Sequence, residues 1–131
     1  MLDLNYLAII VAAVGVFVVS AVYYITFSGR LRQLSPAYAD AEATPPPPVI
    51  VGEILRSLMV GAVVAGLVSL IGITDVVGAI QLALALWIGF PVVLLTGSVI
   101  HEKVPPMLAA IHAGDWLLKL LVITTIVTIW R

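Results

Sequence analysis

Four stretches of this chain stay apolar for about twenty residues or more, and they constrain its fold more than any other feature. They are "LNYLAIIVAAVGVFVVSAVYYITF" (Leu4 to Phe27), "ILRSLMVGAVVAGLVSLIGI" (Ile54 to Ile73), "VVGAIQLALALWIGFPVVLLTGSVI" (Val76 to Ile100) and "PPMLAAIHAGDWLLKLLVITTIVTIW" (Pro105 to Trp130). A helix rises about 1.5 Å per residue, so about 20 residues cross a hydrocarbon core of roughly 30 Å. A barrel strand would alternate apolar and polar residues, and these runs do not alternate. The expected fold is all-α: an integral membrane bundle of four transmembrane helices in two hairpins. The helices are expected at about 4–27, 50–73, 76–100 and 105–130, in one domain over 1–131.

Composition agrees. The chain is 63% hydrophobic and 10% charged, against about 45–50% and about 25% in soluble domains. The excess apolar surface has to face lipid or other subunits. A net charge of −1 gives no electrostatic case for nucleic acid. Cysteine is absent, which removes disulfides, thiol catalysis and thiolate metal sites. The first run is read as a retained helix rather than a cleaved signal. Its apolar stretch is too long, and its flank carries Asp3 instead of a basic residue.

Basic residues orient the helices. Arg30 and Arg32 lie in the first loop, Arg56 just inside the second helix, and Lys103 in the third loop, "HEKVP". The N-terminus and the turn "GITD" have none, and the C-terminus has only Arg131. Positive residues mark the cytoplasmic side, so loops 1 and 3 are expected inside and both termini outside. Tyr6, Tyr23, Tyr24 and Trp130 read as interfacial aromatics at helix ends. In the loop over 28–48, Ser35 reads as an N-cap and Pro36 as a first helical residue, with Asp40 and Glu42 further along a short interfacial helix. "PPPP" (Pro45 to Pro48) reads as a polyproline spacer.

Small residues mark packing faces. The second helix pairs Gly61 with Ala65 and Ala62 with Gly66; the fourth pairs Ala109 with Ala113 and Ala110 with Gly114. Such pairs let backbones approach closely. Pro91, inside the third helix, is expected to kink it. "VGVF" and "IGF" in the first and third helices hint at a parallel repeat.

The most pointed feature is "IHAGDWLLKL". His112, Asp115 and Lys119, spaced +3 and +4, share one face of the fourth helix. Counted from Pro105, Asp115 lies about 15 Å deep. A charge at the bilayer centre costs roughly 2.5–3.5 kcal/mol, so this face is expected to turn inward. Asp115 ahead of Lys119 is the favourable order for a helical ion pair, and His112 can donate to Asp115 while staying neutral. The stripe is either a neutralised pair that fixes the helix or a proton or ion relay. Glu53 and Arg56 form a surface pair, with Arg56 snorkelling to the headgroups. His101, Glu102 and Lys103 end the third helix; the second His of a zinc-protease helix is missing.

The pieces "NYLAIIVAAVGVFVVSAVYY", "FSGRLRQLS", "LWIGF", "HEK" and "IHAGDWLLKLLVITTIVTIW", in this order and spacing, resemble the Domain of Unknown Function 1761 family of small bacterial four-helix membrane proteins. "YYIT" stands where the family usually has Trp-Tyr-Ser-Pro, and the Asp115/Lys119 pair is unlike its ordinary fourth helix. The resemblance implies a bacterial inner-membrane protein with no assigned activity. The expected role is non-catalytic, structural or accessory, with no enzyme activity, metal or cofactor. The alternative is a small oligomeric transporter or channel-like protein using His112, Asp115 and Lys119. Expected partners are the lipid bilayer and either further copies or another membrane protein, not nucleic acid.

Overall fold

A computed structural model of the chain describes residues 4–39 and 45–130, which form seven helices and, among the described residues, no strand. Helix α1, Tyr6–Thr26, starts where the Asn5 side chain accepts from the Ala8 N–H, replacing one bond a helix start lacks. Two short helices follow, α2 at Ser28–Leu34 and α3 at Pro36–Ala39. Helix α4, Pro47–Ile71, ends at Gly72, whose φ of 82° lets its N–H and that of Ile73 both reach the Val68 carbonyl. Helix α5, Val76–Gly89, is capped by Asp75; α6, Pro91–Glu102, ends at Lys103 with a φ of 60°. Helix α7, Pro106–Ile129, closes the chain.

Four stretches are long and apolar enough to cross a membrane: 6–26, 47–71, 76–102 and 106–129. Most of their surface is not buried by the fold, and side chains such as Leu7, Val22, Met59, Leu70 and Leu94 point outward. Helix α7 is the hub and touches α1, α4, α5 and α6. The main core joins Ile9, Ala12 and Val16 of α1 to Val64 and Val68 of α4, Ala83 of α5, and Leu120, Ile123 and Val127 of α7. A smaller cluster at the other end sets Leu31 of α2 against Leu108 and Ile111 of α7. That anchor holds the first loop against the start of α7. At the far end the Asn5 amide donates to the Trp130 carbonyl.

Several expectations need correction. The four prolines are not one spacer. Pro47 and Pro48 form the first turn of α4, where a missing N–H is harmless, and Pro46 is extended (φ −63°, ψ 151°). Pro91 does more than kink the third span. The helix stops at Gly89, Phe90 leaves helical geometry (φ −121°, ψ −76°), and a new helix starts at Pro91. Only one small-residue pair of α4 faces the core. A Cβ on Gly61 would lie 3.2 Å from the Ile9 side chain, and Ala65 is buried, whereas Ala62 is exposed and Gly66 has open space beside it. On α7, Ala109 is buried and Ala110 is exposed. Ser35 does cap α3, accepting from the Ala37 N–H at 3.3 Å. Asp40, Glu42 and Arg131 lie outside the described residues.

Candidate functional site

Helix α7 carries His112, Asp115 and Lys119 on the face turned to α1, and each meets a specific partner. Asp115 is 2% exposed. Its Oδ2 lies 3.0 Å from the Lys119 Nζ, and its Oδ1 accepts from the Ser20 hydroxyl of α1 at 2.6 Å. Both bonds are charge-assisted, the stronger kind of hydrogen bond, and together they engage both carboxylate oxygens. The ammonium of Lys119 also stands 5.1 Å from the centre of the Trp116 ring. A cation near an aromatic face gains further attraction when water is excluded.

His112 does not bond to Asp115, contrary to the expectation from spacing. Its Nδ1 lies 2.7 Å from the Tyr24 hydroxyl. The Tyr38 ring of α3 stands 6.4 Å from the imidazole. Burial first, then the Asp115 and Glu53 carboxylates, push the Tyr38 phenol above its ordinary value, so it stays neutral. His112 and Tyr24 thus form one polar pair, with the Tyr38 ring beside it, next to the group of Ser20, Asp115 and Lys119.

Two further bonds fasten α7 to its neighbours. Tyr23 donates to the Ile111 carbonyl at 2.7 Å, and Trp87 of α5 donates its indole N–H to the Ala113 carbonyl at 2.8 Å. Gly114 makes the first possible, because a Cβ there would stand 2.3 Å from the Tyr23 hydroxyl. Gly114 thus serves a side chain rather than a close helix–helix crossing.

Ser20, Tyr23, Tyr24, Tyr38 and Trp87 were not among the sequence candidates for this site. Tyr23 and Tyr24, read as interfacial, instead spend their hydroxyls on α7. The signal was present in "SAVYY": Tyr23 and Tyr24 stand +3 and +4 from Ser20, so both adjoin it on one side of the helix. Glu53 and Arg56 pair with each other on the surface, and His101, Glu102 and Lys103 are exposed at the end of α6. Among the described residues no three His, Asp or Glu side chains are placed to share a metal ion.

Two grooves open beside α7. One, of about 240 Å³, lies between α4 and α7 and is lined by Arg56, Ser57, Met59, Trp116, Lys119 and Ile123, among others. The other, of about 290 Å³, lies between α6 and α7 and is lined mainly by Val, Leu and Ala side chains. Asp115 and His112 line neither. No curated protein and no solved structure matches the chain. A family model described as "Protein of unknown function (DUF1761)" matches residues 7–128, from the first turn of α1 to the last turn of α7, and the chain belongs to that family.

Proposed function

We propose that the chain is a non-catalytic structural or accessory protein of a bacterial inner membrane. On this reading it is embedded as four spans and works with further copies or another membrane protein. One observation carries the proposal: the Asp115 carboxylate of α7 is consumed by the bundle itself. Asp115 has both oxygens engaged and lines neither groove. A buried ion pair satisfied in this way fixes a helix in register. The second reading, a small transporter with a proton relay, draws on the polar pair of His112 and Tyr24, with the Tyr38 ring beside it, next to Asp115. Flux separates the two. Vesicles containing the protein should hold a pH gradient as long as empty vesicles do. A proton leak that disappears in the Asp115→Leu, Lys119→Leu variant would establish the relay.

The topology that goes with this proposal puts loops 1 and 3 in the cytoplasm. Leu31 packs with Val104 and Leu108, so both loops share one end of the bundle with Arg30, Arg32 and Lys103. Lys and Arg in short loops favour the cytoplasmic side. Fusions after Arg131 test it: alkaline phosphatase is expected to be active there and a fluorescent protein dark. A fluorescent C-terminal fusion without phosphatase activity reverses the orientation.

A further inference from the structure

Ser57 of α4 is 6% exposed and lines the groove between α4 and α7, yet its hydroxyl makes no hydrogen bond among the described residues. Other hydroxyls of the spans fold back on their own helix: Thr26, Thr96 and Ser98 each donate to the carbonyl four residues before. Thr96 does so although it lines the groove beside α6. Thr124 and Thr128 are buried and unbonded too, but they line neither groove. Ser57 is thus the buried hydroxyl that turns an unused donor to an open space.

The rest of the lining says what that donor can serve. The groove has no net charge, because Arg56 is paired with Glu53 and Lys119 with Asp115. A charged guest gains nothing from it. An uncharged acceptor does: beside Ser57, Lys119 gives Asp115 one bond from an ammonium that has three N–H groups. Met59, Val60 and Ile123 make the wall apolar, and Trp116 adds a flat aromatic face. A volume of about 240 Å³ falls below the roughly 300–1,000 Å³ of sites that enclose drug-sized ligands. It suits a ring whose remainder stays outside. Ser57 is ten residues beyond Pro47, about 15 Å along α4, and Lys119 is thirteen beyond Pro106, about 20 Å along α7 and past its middle. With the chain embedded as proposed above, both lie within the hydrocarbon layer, beneath the level of phospholipid ester groups.

We propose that this groove binds a planar, uncharged ring that bears a carbonyl group and has an apolar tail lying in the lipid. The carbonyl oxygen accepts from the Ser57 hydroxyl and from a Lys119 N–H, and the ring lies against Trp116. The hydrogen bonding and the neutrality follow from the groove itself. The choice of a ring dissolved in the bilayer over a phospholipid ester rests on the membrane reading.

The test is equilibrium dialysis of the whole chain in detergent against menadione and methylnaphthalene, the same bicyclic ring with and without carbonyl groups, with uptake by protein-free micelles subtracted. One menadione per chain is expected to be held saturably and about fivefold more tightly than methylnaphthalene, the effect of about one hydrogen bond. Ser57→Ala should weaken menadione by about the same factor and leave methylnaphthalene unchanged. The comparison of the two compounds needs no variant, so it stands whether or not Ser57→Ala folds. Equal affinity for both compounds, uptake that never saturates, or menadione binding that a folded Ser57→Ala protein retains in full overturns the site. Displacement of menadione by an equal concentration of phosphatidylcholine would show that a lipid ester is the occupant, and overturns the ring assignment. Flotation with phosphatidylcholine vesicles reports on the membrane reading separately. Protein that floats but holds both compounds equally overturns the site alone. Protein that does not float overturns the membrane reading, and with it the assignment of the ligand to the lipid phase.

Discussion

Asp115→Ala and Lys119→Ala should each destabilise the folded protein by about 3–5 kcal/mol, and the Asp115→Leu, Lys119→Leu double variant should lose less than either single. Each single replacement leaves an unpaired charge where the partner was: a lysine whose side chain is 12% exposed, or a carboxylate at 3%. A lone charge buried in the bundle has no water to turn to, while two leucines remove both charges at the smaller cost of fitting a larger side chain at Asp115. Ser20 loses its acceptor in the double variant. Its hydroxyl has an alternative in the carbonyl four residues back, the bond that Thr26, Thr96 and Ser98 already make in this chain. Folded yield by size exclusion in detergent, with denaturant titrations of all three variants, gives the ranking. A double variant weaker than both singles would mean that the two charges depend on other groups more than on each other.

Gly114→Ala should destabilise the bundle by about 2 kcal/mol, and Tyr23→Phe should relieve much of that loss when combined with it. The new methyl group would meet the Tyr23 hydroxyl at 2.3 Å and the ring carbon that bears it at 3.2 Å. The ring must swing away and give up its bond to Ile111. Removing the hydroxyl takes away the atom in worst conflict and leaves a contact that is tight but tolerable. Tyr23→Phe alone forfeits one neutral hydrogen bond, about 1 kcal/mol. The combined loss of the double variant should therefore be well below the sum of the two single losses in a thermal or denaturant series. Strict additivity would show that the ring moves aside freely and that Gly114 has another role.

The spans could be read from the sequence because their determinant is length and apolarity, which need no tertiary information. The Asp115/Lys119 pair could be read for a similar reason: +4 spacing places two side chains together on any helix. What was hidden depends on which faces meet. "GAVVAG" offers Gly61/Ala65 and Ala62/Gly66, two overlapping pairs about a quarter-turn apart, and only the packing of α1 selects the first. Ser20 and Tyr24 sit on an apolar run and become partners of the stripe only once α1 is in register with α7. Their spacing marks a shared face without saying what it faces. Helix α2 is too short for a periodicity, and its one anchor, Leu31, is an ordinary leucine until it is found 1% exposed under α7. The prolines before α4 are compatible with both an extended spacer and a first helical turn.

The break at Pro91 divides the third span into parts of unequal standing. Pro91 brings no N–H, so the Trp87 carbonyl loses the bond that the residue four places on would supply. On the near side, α5 buries Ala79 and Ala83 and is tied to α7 through Trp87. On the far side, α6 buries only Pro91. The bundle thus does not open as one cooperative block. Segments that bury little exchange their amide protons through local openings that leave the rest intact, whereas an element built into the core exposes its amides only when the whole structure comes apart. In that sense α6 is a lightly moored half-helix attached to a body of three and a half spans.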